Sequence, residues 1–301
     1  MLFRFLFTIL LICSLVFAQH RHLKKHDSNI AKNIKFVPAN VSLENSYVDI
    51  TTNSIHRLIK SNGIPNHKVG KFPNKGNPHF IIPQEYSFKL NLYPKNLKKP
   101  YLIHENTTIT GLPFGIAVNG VMFVPATAEY WNGNKKLGWN YCALGKGIHL
   151  GLDENYAHVQ PNGSYHYHGV SKYFLDNIML DKNKHSPIIG WAADGYPIYY
   201  VYGYNNEKKI INHKSGYQLK KGNRPIPPHG PGGKYDGTFV QDYEYKRGIG
   251  TLDECNGKFV VTPEYPEGTY AYFITENWPI IPRGFKGEFI NLREKKLSYE
   301  N

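Results

Sequence analysis

Leu152-Asp153-Glu154 is followed by Pro161-Asn162-Gly163-Ser164-Tyr165-His166-Tyr167-His168. Leu252-Asp253-Glu254 is followed by Pro266-Glu267-Gly268-Thr269-Tyr270-Ala271-Tyr272-Phe273. The shared frame is Leu-Asp-Glu, a spacer, then Pro-x-Gly-(Ser/Thr)-Tyr-x-Tyr, and the second spacer is five residues longer. A turn feeding an alternating strand accounts for it. The glycine frees the backbone, and tyrosines two apart pack on one face. A chain that carries this frame twice is expected to be built on strands and to contain a structural duplication. The 23 Tyr, 28 Gly and 20 Pro among 301 residues point the same way, toward turns and strands. No heptad pattern supports a coiled coil or helical bundle. With 41% hydrophobic and 20% charged residues, disorder is disfavoured.

The expected fold class is therefore mainly β: a single β-rich, sandwich-like domain with an imperfect internal repeat and few short helices. Strands are expected at Tyr47–Thr51, Tyr86–Leu92, Gly115–Val124, Ile188–Ala192, Tyr196–Tyr204 and Thr269–Thr275. Turn clusters lie at Asn62-Gly63, Pro73-Asn74, Gly76-Asn77-Pro78 and 228–233. Only Ser171–Asp181 and Ala126–Trp131 suggest short helices. No linker of domain-separating length interrupts 45–290, which is read as one domain, followed by a tail over 291–301.

The two copies of the frame differ where chemistry is carried. His166 and His168 of the first copy are Ala271 and Phe273 in the second. The frame needs its tyrosines and does without the histidines, so the histidines are an addition specific to one copy. On a strand they share a face, with Cα atoms ~6.5–7 Å apart. Two imidazoles so placed can converge on one ion at ~2.0–2.1 Å. Candidate third ligands are His158, then Asp194, His67, Asp153 or Glu154; Asp242 and Glu244 also share a strand face. With few sulfur ligands, Zn²⁺ or Cu²⁺ suits the donor set better than an iron–sulfur cluster. The metal set is read as His166, His168 and His158, with Asp153, Glu154 and Asp194 as candidate acid–base groups. The bland alternative is a pair of histidines hydrogen-bonded in a polar sheet face.

Other chemistry is not signalled. There is no Gly-x-Ser-x-Gly elbow, phosphate loop or His-Glu-x-x-His helix. Asp194, in the Gly190–Pro197 turn, reads equally as an Asx-turn and as a carboxylate presented at a strand end. Trp131, Trp139 and Trp278 are candidate sugar-stacking aromatics, with core packing the competing reading. A non-catalytic module for an extracellular glycan or matrix is thus the alternative function, and an unknown small molecule or glycan the expected partner.

Residues 1–18 read as a secretory signal: Arg4, an apolar run from Leu6 to Phe17, and Val16-Phe17-Ala18 before the cut. The run is short of the ~20 residues of a spanning helix, and secretion without a membrane span is expected. Residues 19–44 form a basic N-terminal arm. With Cys13 in the signal, Cys142 and Cys255 remain, and one disulfide closing a long loop is expected. Asn40, Asn106 and Asn162 begin glycosylation sequons. The net charge of +13 is concentrated: residues 19–99 hold 14 Lys/Arg against 4 Asp/Glu. Lys outnumbers Arg 29 to 7, and the basic residues are scattered. Bidentate phosphate recognition favours Arg, and no nucleic-acid module is visible, so no specific nucleic-acid partner is expected.

Tyr165-His166-Tyr167-His168 resembles the signature of the YHYH-domain family of secreted proteins. The resemblance extends through Ser61–His67, Gly115–Val121, Asp153-Glu154 with His158–Gly163, Gly190–Pro197, Gly232–Thr238 and Leu252–Tyr272. It covers roughly 45–290. It implies one extracellular domain, directs attention to His166 and His168, and supplies no substrate.

Overall fold

The structure is a computed structural model, and it describes residues 34–105 and 111–293. The signal segment, the arm as far as residue 33, the Asn106 sequon and the tail beyond Arg293 lie outside the described residues.

The described residues hold seventeen strands and one α-helix. β1 (Val48–Thr52), β2 (His56–Ser61) and β3 (Tyr86–Asn91) form an antiparallel three-stranded sheet. β4 (Asn96–Leu102) pairs with the last strand, β17 (Gly284–Gly287). The centre is an eight-stranded sheet made from β5 (Gly115–Ala117), β6 (Met122–Phe123), β7 (Ala157–Val159), β8 (Tyr165–Tyr167), β9 (Ile188–Ala192), β10 (Pro197–Tyr200), β15 (Gly257–Val260) and β16 (Thr269–Ile274). Two small hairpins complete the set: β11 (Tyr202–Tyr204) with β12 (Ile210–Asn212), and β13 (Tyr217–Leu219) with β14 (Tyr243–Tyr245). The fold is mainly β, as expected.

The order in the central sheet is β15-β16-β10-β9-β5-β6-β8-β7. Each half is a hairpin, then a parallel neighbour, then an antiparallel edge strand. β6 runs parallel to β8 as β10 does to β16. β7 and β15 close the two edges. The halves meet at β5 and β9, where Gly115 pairs with Ala192, Ile116 with Trp191 and Ala117 with Gly190. That register is symmetric about Ile116 and Trp191, so the halves are related by an approximate two-fold. The duplication is therefore larger than the frame read in the sequence. It includes the hairpins Gly115-Ile116-Ala117-Val118-Asn119-Gly120 and Gly190-Trp191-Ala192-Ala193-Asp194-Gly195.

Strands β5, β6, β8 and β10 are buried at every position. Both faces of the sheet are covered there, so β5, β6 and β10 carry no apolar–polar alternation, and in β8 even the histidine face is buried. The hairpin turns use glycine for a physical reason. Gly120 and Gly195 have φ of 81° and 93°. A Cβ on Gly120 would come 2.1 Å from Ser61 Oγ, and one on Gly195 2.2 Å from the Asn91 carbonyl. No side chain fits either place.

The expected strand over 115–124 is thus two strands and a tight turn, because Asn119-Gly120 reverses the chain. The helix expected over 171–181 is shorter, α1 (Lys172–Asn177), capped by Ser171 Oγ accepting from Phe174 N at 3.0 Å. The helix expected over 126–131 is absent. Asn140 Nδ2 donates to the Thr127 and Glu129 carbonyls at 3.1 and 2.9 Å and holds that segment as a loop. The expected disulfide is also absent: Cys142 and Cys255 are separate buried thiols. Burial pushes the Cys142 thiol up to about 12 and raises that of Cys255 as well. Among the described residues no helix is long and apolar enough to cross a membrane.

Candidate metal centre

The first Leu-Asp-Glu segment is a tight turn organised by Asp153. Tyr156 N donates to the Asp153 carbonyl and Asp153 N to the Ala157 carbonyl, both at 2.9 Å. The carboxylate accepts from Asn155 N at 2.9 Å, Gly70 N at 2.8 Å and the Tyr165 hydroxyl at 2.8 Å. The turn launches β7, and the tyrosine bond ties it to β8. The resulting register sets His158 directly opposite His166. Alternation along β8 sends Tyr165 and Tyr167 to one face and His166 and His168 to the other.

The three imidazoles converge. Ring centroids lie 4.6, 5.0 and 4.9 Å apart. His168 Nε2 is 3.1 Å from His166 Nε2 and 3.1 Å from His158 Nε2. Ligand bonds of ~2.0–2.1 Å in a tetrahedral centre would place nitrogens roughly 3.3 Å apart. The observed spacing is close to that.

Hydrogen positions follow from the outer partners. His158 Nδ1 is 3.1 Å from the Leu150 carbonyl, and His166 Nδ1 is 3.2 Å from the Ser164 carbonyl. A carbonyl only accepts, so each Nδ1 carries the hydrogen and each Nε2 turns a lone pair inward. Asn77 Nδ2 also lies 3.3 Å from His158 Nδ1, but it donates to the Val159 carbonyl at 2.8 Å. His168 Nε2 has one hydrogen at most and so satisfies one of its two neighbours. A cation among the three Nε2 atoms satisfies all of them.

Electrostatics favour the same state. Burial pushes His158 down to about 4, and it holds His166 and His168 well below the ordinary histidine value, with their mutual repulsion adding. Neutral imidazole is the form that binds metal. Gln160, just after β7, brings its side-chain amide 3.3 Å from His166 Nε2. Nothing in the sequence singled it out.

The other candidates fall elsewhere. Asp153 is fully buried within its turn, on the tyrosine side. Glu154 accepts from Ala39 N at 2.9 Å. Asp194 lies in the second half, accepting from the Tyr272 hydroxyl and from Gly287 N, and burial pushes it up to about 6. His67 Nε2 meets the Tyr167 hydroxyl at 2.6 Å, on the face opposite the trio. Asp242 and Glu244 do not share a strand face. Asp242 ends a 3₁₀ turn, paired with Arg224, and Glu244 bonds Gln218 and Lys246. Trp139 and Trp278 are buried core residues and present no surface for a sugar. Among the described residues, His158, His166 and His168 are the one group of three or more His, Cys, Asp or Glu that converges.

A family model described as "YHYH protein" matches residues 88–287. No curated protein and no solved structure compared with the chain matches it. The matched span holds both halves of the duplicated sheet and all three histidines, and the chain belongs to the YHYH protein family.

Proposed function

We propose that this is a secreted metal-binding protein in which His158, His166 and His168 hold one divalent transition ion, Zn²⁺ or Cu²⁺. The observation that carries the reading is the inward-facing Nε2 trio, with two Nδ1 atoms held by backbone carbonyls. The all-nitrogen donor set suits either ion. A bound ion would act as a Lewis acid toward a water or substrate oxygen in the remaining position. His158 and His166 are oriented by the Leu150 and Ser164 carbonyls, and Gln160 stands beside His166 as a fourth polar group. The contacts of Asp153, Glu154 and Asp194 give them no acid–base part here, and the reading is one of binding. Secretion rests on residues 1–18. The glycan-binding alternative loses Trp139 and Trp278 to the core and keeps the half-buried Trp131.

Elemental analysis of the purified protein tests the reading. One ion per chain is expected, and none in His166→Ala/His168→Ala. Circular dichroism of the variant establishes that it is folded. An unchanged metal content in a folded variant refutes the site.

A further inference from the structure

The sheet face that carries the trio extends beyond it. Alternation adds Gln160 after β7 and Ser164 before β8. Gln160 N donates to the Ser164 carbonyl at 2.9 Å, so the two stand opposite each other. The Tyr86 hydroxyl, at the start of β3, meets Ser164 Oγ at 2.5 Å. All of these groups are neutral. The carboxylates near in sequence are engaged elsewhere, Asp153 with Tyr165 on the opposite face and Glu154 with Ala39 N. Among the described residues no Asp or Glu joins the converging histidines.

The fixed charges that act on this face are positive. Arg293 acts on His166 and His168, and Arg283 also acts on His168. Arg283 is buried, with Nη2 donating to the Pro125 carbonyl. Arg293 follows the buried Leu292, and its own side chain is exposed. The ionisable group that acts on its guanidinium is the Tyr86 phenol, and among the described residues no carboxylate does. An ion held by the trio would add two positive charges to a face that has no carboxylate to balance them. A ligand that brings its own negative charge supplies the balance.

We propose that the ligand taken by this centre is a small oxyanion, a carboxylate or inorganic anion, with Arg293 as its counter-charge and the Gln160 amide as a hydrogen-bond donor; the proposal rests on the metal reading above. The Gln160 amide nitrogen lies 3.3 Å from His166 Nε2 and donates to that lone pair while the lone pair is free. Once an ion takes the lone pair, the N–H is left for the ligand. A guanidinium matches an oxyanion in charge and in the geometry of its paired N–H groups. A neutral sugar would leave the positive charges unbalanced, and a cationic ligand would be repelled.

The test uses the full mature chain loaded with Co²⁺, whose visible absorption reports changes among its ligands. Bound Co²⁺ is quantified, and the loaded chain is titrated with acetate, phosphate and glucose at matched ionic strength. A saturable spectral change with acetate or phosphate, absent with glucose, is expected, and the more effective anion identifies the class. Arg293→Gln should keep the Co²⁺ and weaken the oxyanion about tenfold, the loss of one charge-assisted hydrogen bond. Arg293→Lys, which keeps the charge, should recover part of the affinity. No response to either anion, a response to glucose alone, or equal anion affinity in Arg293→Gln and the native chain would overturn the proposal and leave the metal reading standing. A native chain that takes up no Co²⁺ overturns both, so the two failures are told apart by metal content.

Discussion

The two halves of the central sheet share a backbone and differ in what they hold. Each begins with a Gly-x-Ala-x-(Asn/Asp)-Gly hairpin and ends with a Leu-Asp-Glu turn feeding a Tyr-x-Tyr strand. The turns share their backbone bonds. Asp153 N reaches the Ala157 carbonyl as Asp253 N reaches that of Gly257, and Tyr156 and Asn256 share a φ near 57° (56° and 58°). Tyr165 donates to Asp153 as Tyr270 does to Asp253. The matching extends to the inner tyrosines, since Tyr167 is bonded by Asn119 and Tyr272 by Asp194. On the other face the equivalents diverge. His158, His166 and His168 correspond to Lys258, Ala271 and Phe273. Ala271 and Phe273 belong to a small apolar cluster with Tyr199, Leu252 and Val260. The lesson is that the tyrosine face carries the fold and the opposite face is free to carry either packing or chemistry.

The largest expected effect comes from making the first half resemble the second. His166→Ala/His168→Phe should abolish metal binding. It should also remove the stabilisation that metal adds, about 4 kcal/mol when the free ion stands at a thousand times Kd. The metal-free stability should change by less than about 1.5 kcal/mol, because uncharged buried imidazoles give way to apolar groups of the volumes used in the second half. Urea unfolding with and without added metal checks both parts. A metal-dependent shift that survives in the variant would break the comparison.

Asp153→Ala strikes what the halves share. It leaves the Tyr165 hydroxyl and the Gly70 and Asn155 amides without an acceptor, and should cost about 3 kcal/mol by urea midpoint. Asp253→Ala should cost less, since Asp253 is half-buried and water can replace the carboxylate. Equal losses would show that burial does not distinguish the turns. A finer contrast comes from Val159 and Phe259, which occupy equivalent places at 1% and 67% exposure. Val159→Ala should cost about 2 kcal/mol, and Phe259→Ala no more than about 0.5 kcal/mol.

The smallest effect is one of pH, and it has opposite sign in the two halves. The trio's histidines have depressed values in the folded state. The unfolded chain therefore takes up protons first, and metal-free stability falls as pH drops from 6.5 toward about 4. Asp194 is raised, from 3.8 to about 6. Its contribution is greatest below 3.8 and is lost as pH rises through 6. Asp194→Asn places the first half's residue in the second. It removes the titrating group, so it should leave the histidine slope intact and abolish the Asp194 slope. Urea midpoints between pH 4 and 8 measure both slopes, and a variant that kept the fall in stability through pH 6 would break the contrast.

Much of the site was legible along the chain. His166 and His168 share a face by the two-residue period of a strand, and their loss in the second copy of the frame marked them as chemistry rather than architecture. Nearness in sequence makes His158 a candidate third ligand, but its place opposite His166 depends on the β7–β8 register that the Asp153 turn imposes. The carboxylates were less readable. An Asp or Glu near a metal ligand in sequence looks the same whether it faces the ion or anchors a turn. Here Asp153 spends its oxygens on Gly70, Asn155 and Tyr165. The Asn119-Gly120 and Asp194-Gly195 hairpins stood in plain view as a second repeated pattern. Their kinship becomes evident only when β5 and β9 pair about one point.

Taken alone, the sequence determined the strand-based class, the repeated frame and the two histidines on one strand face. All of these depend on local periodicity and turn chemistry, which act over a few residues. Only the tertiary structure decided that the frame belongs to a two-fold sheet, that Cys142 and Cys255 stay apart, and that Asp153 is spent on Gly70. Those outcomes depend on contacts between residues far apart in the chain, such as Ile116 with Trp191. No local pattern encodes them, because packing selects them from many arrangements of equal local merit.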